Sequence, residues 1–450
     1  MAINPQIFRA YDIRGVADRD LPDDTAYRVA RAFGTIVRRT GGRHVCLGRD
    51  CRLSSDRLYE VFVRGLTACG LTVDDVGVGA SPQLYWGVHH LDSDGGVQIT
   101  GSHNPADHNG FKLMLGKGTF HGERIAELAA IAAAEDFAEG HGRVVHHDLG
   151  ELYVADIARR LTLGPRPLKV AIDGGNGTGG PPAAALLARL GVATTPLHIP
   201  RDGRFPNPHP DPTLEENLAD LREAVLSGGL DLGIAYDGDA DRIGVIDDRG
   251  EVLWGDRLLI LLARELLAAH PGAAIVGEVK CSATLFADIA ARGGRPVMSA
   301  VGHSIIKDRM KAEGALLAGE MSGHIFYQDR WLGFDDAIYV TGRLVEILSR
   351  ADRPLSALLA DVPRTHVTPE IRLDCPDDKK FGVVAEAVAD FGKRHPLVDI
   401  DGARIDFGDG WGLIRASNTQ PVIVLRAEAE TPEALARIRA TLEAFVATRA

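Results

Sequence analysis

The sequence predicts an α/β protein: three similar mixed α/β domains plus a smaller C-terminal α+β domain, set around a central cleft. Three observations predict it. At 450 residues the chain is too long for one hydrophobic core and should divide into several. A unit recurs three times in which a short apolar strand, at residues 45–50, 170–175 and 274–280, runs into an Asp- or Gly-containing loop and a helix-like segment. A second strand follows in each unit, at 96–100, 232–236 and 315–318. Strands alternating with helical stretches make parallel-rich sheets whose functional loops gather at strand ends. After residue 359 the pattern changes: Pro363, Pro369 and Pro376 punctuate the chain, and the segments 371–373, 404–407, 413–415 and 422–427 alternate as antiparallel strands do. A closing helix begins at Thr431-Pro432, with Thr431 as cap, Pro432 in the first turn, and Leu435, Ile438, Leu442 and Phe445 at helical spacing. The expected domain boundaries are 1–150, 151–252, 253–365 and 366–450.

Composition narrows the function classes. A hydrophobic content of 45% with 25% charged residues is that of a globular protein without disordered or fibrous bias. Acidic residues outnumber basic ones by 62 to 50, and the net charge of -12 argues against coating nucleic acid or an acidic membrane, so neither is expected as a partner. The first eight residues lack an export pattern and the longest apolar run, 258–263, is too short to cross a bilayer. The chain is therefore expected to be cytoplasmic, as a monomer or small homo-oligomer. Its five cysteines, Cys46, Cys51, Cys69, Cys281 and Cys375, include no C-x-x-C pair and read as reduced, mostly buried thiols.

The chemistry-bearing residues concentrate in four loops. In TGSHNP, residues 100–105, Ser102 stands where an apolar strand breaks into a loop, with its hydroxyl expected to face solvent, where it can attack or carry a group. His103 can take or guide the serine proton, while Asn104 and the turn N–H groups can hold an anion. In DGDADR, residues 237–242, Asp237, Asp239 and Asp241 alternate with Gly238 and Ala240, so three carboxylates can converge on one hard cation such as Mg²⁺ or Mn²⁺. A calcium loop fails, because Arg242 stands where that motif needs Gly and Asp248 where it needs Glu. In RASNTQP, residues 415–421, a guanidinium, two hydroxyls and an amide form the inventory that grips a phosphate which is held rather than transferred. In GEMSGH, residues 319–324, the spacing is not that of a hydrolase nucleophile elbow, so Ser322 is not read as an attacking group; Glu320 and Ser322 can bind sugar hydroxyls.

One further motif is set aside. Residues 175–180 fit G-x-G-x-x-G after a strand, but the next strand, 192–197, ends without the acidic residue that would hold a ribose, so a Gly-rich turn is preferred to a nucleotide site. Lys112, Lys280 and His303 lie near the other loops, and any of them can serve as acid, base or phosphate contact.

A serine nucleophile, a hard-cation site, a separate phosphate grip and a polyol loop together argue for phosphoryl transfer on a phosphorylated sugar, with no nucleotide cradle. TGSHNP, DGDADR, GEMSGH and RASNTQP in this order, with FRAYDIRG at residues 8–15, resemble the α-D-phosphohexomutase family over essentially the whole chain, and most closely its bacterial phosphomannomutase/phosphoglucomutase branch. The resemblance implies reversible conversion of hexose 1-phosphate to hexose 6-phosphate through a hexose 1,6-bisphosphate, with glucose 1,6-bisphosphate or mannose 1,6-bisphosphate as activator. It implies that Ser102 carries the phosphate and that Asp237, Asp239 and Asp241 with a phosphoserine oxygen bind Mg²⁺. It further implies that Arg415, Ser417, Asn418 and Thr419 hold the other phosphate and that Glu320 and Ser322 contact the sugar. Tyr11, Arg14, Lys112, Arg242, Lys280, His303 and His324 match family active-site positions; Lys112 and His303 are the candidates for moving the proton. Gly101 stands where many members have Ala and is expected to loosen the turn. Phosphoglucosamine mutase is the alternative within the family, since those enzymes tend to Gly at position 418 and Gln at position 321, where this chain has Asn418 and Met321. A metal-dependent sugar-phosphate phosphatase is the alternative outside it, and a non-catalytic sugar-phosphate binder would not need the metal loop.

Overall fold

The computed structural model describes residues 3–207, 209–418 and 421–449. It holds four sheets, three of them mixed and built to one plan. In the first, Thr72–Val78, His44–Arg49 and Gly95–Ile99 lie parallel in that spatial order, and His108–Leu115 adds antiparallel. The second repeats this with Ala193–Leu197, Lys169–Asp173, Leu232–Tyr236 and antiparallel Ile243–Asp247. The third repeats it again with Arg295–Ser299, Ala274–Glu278, Leu317–Gly319 and antiparallel Ile325–Tyr327. The expected loop-bearing strand is thus beside the first strand in space but third in sequence. An intervening strand takes the other side; in the second domain this is Ala193–Leu197, which is largely exposed.

This plan explains where the chemistry lies. Each central parallel strand runs directly into an antiparallel neighbour, so residues 100–107, 237–242 and 320–324 are tight reversals rather than entries to helices. A short reversal between two hydrogen-bonded strands has both ends anchored, which suits side chains that must be held within fractions of an ångström.

The C-terminal sheet is antiparallel, built around Val422–Ala429, with Ile371–Asp374 on one side and Gly410–Ala416, then Ala403–Asp406, on the other. The closing helix Pro432–Ala447 is capped by the Thr431 side chain, which accepts from the Ala434 N–H, as expected. A second helix, Asp377–Phe391, has no counterpart in the sequence reading; Val383, Ala387 and Phe391 are buried in the core and Val384 and Val388 pack against it.

Packing divides the molecule unequally. One core runs through the second and third domains and takes in helix Ser81–His90 of the first. At its centre helix Ala337–Arg350 buries nearly every residue, including Ile338, Val340, Leu344 and Leu348. Each such aliphatic side chain contributes about 1.5–3 kcal/mol. The C-terminal domain has its own core and meets the third through a small apolar patch of Val279, Trp411 and Leu413. All five cysteines are free; four are buried and Cys51 is half-buried. Among the described residues no helix is long and apolar enough to cross a membrane.

Candidate active site

Ser102 does not face solvent as expected. It is buried, in the left-handed region at φ +48°, with its N–H on Thr100 Oγ1 at 2.9 Å. Its hydroxyl donates to Asp237 Oδ2 at 2.7 Å and lies 3.1 Å from His103 Nδ1. The cause is the reversal of the second domain, which closes over the serine: a Cβ on Gly238 would lie 2.3 Å from the Ser102 carbonyl oxygen. A Cβ on Gly177 would likewise lie 2.6 Å from the Gly238 carbonyl oxygen, so the Gly-rich turn serves backbone packing behind the acidic loop. Gly101 does not loosen the serine loop either; the missing Cβ leaves room for the Arg52 guanidinium, which would otherwise be met at 2.6 Å. Packing around the His103 ring, then the charges of Arg242 and Arg14, push its imidazole well below the ordinary histidine range, so it is neutral.

The three aspartates of the next loop are wholly buried and bring one oxygen each within 4.8 Å of one another. The Lys112 ammonium, reaching over from strand His108–Leu115, bridges Asp239 Oδ2 at 2.6 Å and Asp241 Oδ2. Burial opposes the Lys112 charge, but Asp239 and Asp241 overcome it and hold the amine cationic, well above its usual range. Burial and then the neighbouring carboxylates push the Asp237 carboxyl well up. Burial also raises Asp241, yet Lys112 and His324 outweigh it and keep that group ionised. Among the described residues, Asp239 Oδ1 is buried without a hydrogen-bond partner, and Asp241 Oδ1 has only the His324 ring, 3.3 Å away. Orphaned buried carboxylate oxygens are costly. An all-oxygen donor set with spare acceptors and one ammonium against three carboxylates fits a hard divalent cation such as Mg²⁺.

The loop of the third domain reaches the same point. His324 Nδ1 lies 2.7 Å from Glu320 Oε2, and its Nε2 lies 3.3 Å from Asp241 Oδ1. Burial disfavours the imidazolium, but Asp241 and Glu320 raise it to about 9, and Glu320, despite its burial, is drawn down to about 2 chiefly by His324. Arg242 Nε sits 3.3 Å from His324 Nε2, a contact that a protonated ring cannot accept as a hydrogen bond. Glu320 Oε1 accepts from the Gly302 N–H at 2.7 Å, and Ser322 Oγ is 3.1 Å from His324 Nδ1. The His303 ring lies 5.8 Å from that of His324, and neither of its nitrogens has a hydrogen-bond partner. Burial, then Lys307 and Lys112, hold His303 well below its usual range. Arg14 Nε donates to Asp12 Oδ2 at 2.5 Å.

The remaining candidates line the other side. Arg415 donates from Nε and Nη2 to Asp401 Oδ2, at 3.2 and 3.0 Å. Lys280 Nζ donates to Glu370 Oε2 at 3.3 Å. Asn418 donates to the Tyr11 hydroxyl at 2.6 Å, and that hydroxyl donates to the Val301 carbonyl at 2.9 Å, so Tyr11 ties together the first, third and fourth domains. Burial pushes the Tyr11 phenol up to about 12. The Ser417 N–H donates to the Val422 carbonyl at 3.0 Å; Thr419 lies outside the described residues.

Four contributors escaped the sequence reading. Ser81 donates to Asp239 through both Oγ and its N–H, and in sequence it is legible only as the Ser-Pro start of a helix. Asp335 is buried beside His303 and His324 and pairs with Lys307 Nζ at 3.1 Å. Asp401 and Glu370 hold the two cations of the far side.

Comparison with known proteins agrees with this assembly of loops. Models of phosphoglucomutase/phosphomannomutase alpha/beta/alpha domains I, II and III and of the C-terminal domain match residues 5–139, 151–250, 254–366 and 370–444. The chain is 45% identical over 436 residues to a phosphomannomutase/phosphoglucomutase of Pseudomonas aeruginosa, covering 96% of this chain and 94% of that one. It is 44% identical over 450 residues to a phosphoglucomutase of Neisseria gonorrhoeae, covering 99% and 97%. A crystal structure of a phosphoglucomutase/phosphomannomutase family protein from Burkholderia thailandensis matches with a TM-score of 0.93 at 41% identity over 98% of each chain. With four domains in the same order and relatives this similar along nearly its whole length, the chain belongs to the phosphoglucomutase/phosphomannomutase family and is a phosphohexomutase, an isomerase.

Proposed function

We propose that this phosphohexomutase interconverts the 1- and 6-phosphates of mannose and glucose, with Ser102 as the phosphate carrier. The observation that carries the reading is the Ser102 hydroxyl 2.7 Å from Asp237, within the acidic loop that Lys112 bridges, while Arg415, Lys280 and Asn418 form a separate set of donors. On this reading the domains 1–150, 151–252, 253–365 and 366–450 contribute the transfer loop, the metal loop, the sugar loop and the phosphate grip.

In the forward direction the bond from phosphorus to Ser102 Oγ breaks as the O6 hydroxyl oxygen of hexose 1-phosphate bonds to phosphorus, giving hexose 1,6-bisphosphate. The hydroxyl proton passes to a base, and His303 suits this role, being neutral and, among the described residues, without a hydrogen-bond partner on either nitrogen; the departing Ser102 Oγ takes up a proton from solvent by way of His103. Lys112, held cationic, suits charge stabilisation instead. The bisphosphate then turns over, and the bond from O1 to its phosphorus breaks as Ser102 Oγ attacks; the serine proton leaves by way of neutral His103, and the proton held by His303 passes to the departing O1, which restores both histidines. Hexose 6-phosphate leaves. Arg415, Ser417, Asn418 and Thr419 would grip the phosphate that is not reacting, with Lys280 and Tyr11 beside it. Glu320, Ser322 and His324 would hold the sugar hydroxyls, and Arg14 and Arg242 would face the transferring phosphate. Mg²⁺ held by Asp237, Asp239, Asp241 and the Ser102 oxygen would supply charge neutralisation during transfer. Glucose 1,6-bisphosphate or mannose 1,6-bisphosphate would restore phosphate to a Ser102 that has lost it.

Phosphorus NMR of mannose 1-phosphate with enzyme, Mg²⁺ and a trace of glucose 1,6-bisphosphate tests the proposal. Mannose 6-phosphate without inorganic phosphate is the expected outcome. Release of inorganic phosphate would instead make the enzyme a phosphatase, and turnover of glucosamine 6-phosphate alone would move it to the glucosamine branch.

A further inference from the structure

Behind the serine loop lies a side chain that the transfer scheme does not use. Arg52, just past strand His44–Arg49, has a side chain with no solvent exposure. Its Nη2 donates to the carbonyl oxygens of Ser102 at 2.7 Å and Asn104 at 2.6 Å. Nη1 donates to the carbonyl oxygens of His108 at 3.0 Å and Pro105, and Nε to Asp50 Oδ2 at 3.2 Å. Asp50 in turn accepts from the N–H groups of Gly101 and Arg52 and from Ser55 Oγ. Phe205, from a loop of the second domain, has its ring centre 5.0 Å from the guanidinium, and a Cβ on Gly101 would lie 2.6 Å from it.

A guanidinium offers five N–H donors in one rigid plane, and all five are spent here on fixed acceptors. A buried cation is tolerated only with such complete partnering. The acceptors are consecutive turns of the loop that carries Ser102, whose left-handed φ of +48° is a strained state that persists only where its surroundings over-determine it.

We propose that Arg52 is the positioning residue of the transfer serine. By drawing four carbonyl oxygens of residues 102–108 toward one buried cation, it holds the backbone reversal that keeps Ser102 Oγ beside Asp237. This rests on the reading of Ser102 as the phosphate carrier.

The test compares wild type, Arg52→Ala and Arg52→Lys by intact mass after incubation with glucose 1,6-bisphosphate and Mg²⁺, by kcat and KM, and by thermal melting, each with and without millimolar guanidinium chloride. In both variants kcat and the rate of Ser102 phosphorylation should fall about 100-fold, with KM changed by no more than about threefold, because the reacting oxygen is misplaced while substrate contacts remain. Added guanidinium should restore about tenfold in Arg52→Ala, where it can refill the space, and nothing in Arg52→Lys. A merely structural role would lower the melting temperature yet leave phosphorylation per folded molecule unchanged. Folded Arg52→Ala that takes up phosphate at the wild-type rate overturns the proposal, and if the alanine variant does not fold, the same comparison on Arg52→Lys decides. Wild-type enzyme that acquires no phosphate on Ser102 would overturn the underlying transfer reading, an outcome distinct from normal loading of an Arg52 variant.

Discussion

The two sides of the cleft meet the same chemical problem, a phosphate, in opposite ways. On the transfer side Ser102, Lys112 and the three aspartates are buried and locked by backbone contact, Gly177 against Gly238 and Gly238 against Ser102. Among the described residues, the Asp239 Oδ1 oxygen there has no hydrogen-bond partner. On the far side Arg415 and Asn418, from the domain with its own core, rest on Asp401 and Tyr11, and Lys280 of the third domain rests on Glu370. Rigidity is allotted according to the task of each side. Bond making requires fixed geometry and a surplus of charge awaiting a counter-ion, whereas a phosphate that must be gripped, released and gripped again is better served by cations whose resting partners can be exchanged.

Breaking the transfer side should have the largest effects. Ser102→Ala should lower kcat by about 10⁴-fold or more, the loss typical when a nucleophile is removed, with an unchanged melting temperature in a thermal scan. Removing divalent metal with a chelator should cost about 10³-fold in kcat, and it should also lower the melting temperature, because the ion that offsets three clustered buried carboxylates is then gone. On the holding side, Arg415→Lys replaces a fork by a point charge and should lower kcat/KM by roughly 10–100-fold, chiefly through KM in steady-state assays.

A smaller effect should arise outside both sides. Asp336 caps helix Ala337–Arg350 by accepting from the Tyr339 N–H at 2.9 Å, and also takes the Tyr153 hydroxyl and the Trp331 indole N–H. Burial nonetheless pushes its carboxyl up from 3.8 to about 7. The folded state then binds a proton that the unfolded state has lost between those values, so stability falls as pH rises from about 4 to about 7 and is level in this respect above it. Asp336→Asn should flatten that span of a melting-temperature profile recorded at saturating Mg²⁺ while leaving kcat nearly unchanged.

What was legible in sequence follows from the same contrast. The acidic triad, the serine loop and the RASN segment each carry their chemistry within a few consecutive residues, so the chain itself displays them. The antiparallel last sheet was legible from its alternation, and the closing helix from Thr431 and Pro432. Residues that act from a distance were not. Ser81 meets Asp239 across 158 positions, and Asp401, Glu370, Asp335 and Arg52 act only once sheets assemble. The burial of Ser102 was missed for the same reason, since the cover over it comes from the next domain. The edge strands Thr72–Val78 and Arg295–Ser299 went unseen, whereas that of the second domain was read at 192–197 although Ala193–Leu197 is largely exposed.

The central claim is that one side transfers while the other holds, and it can be tested by following a single phosphate. Enzyme carrying labelled phosphate on Ser102 would be mixed with unlabelled mannose 1-phosphate for one turnover. The label should appear on the 6-position of the sugar product, and the sugar's own unlabelled phosphate on Ser102. Label that remains on the enzyme while mannose 6-phosphate forms, or that leaves as inorganic phosphate, would contradict it.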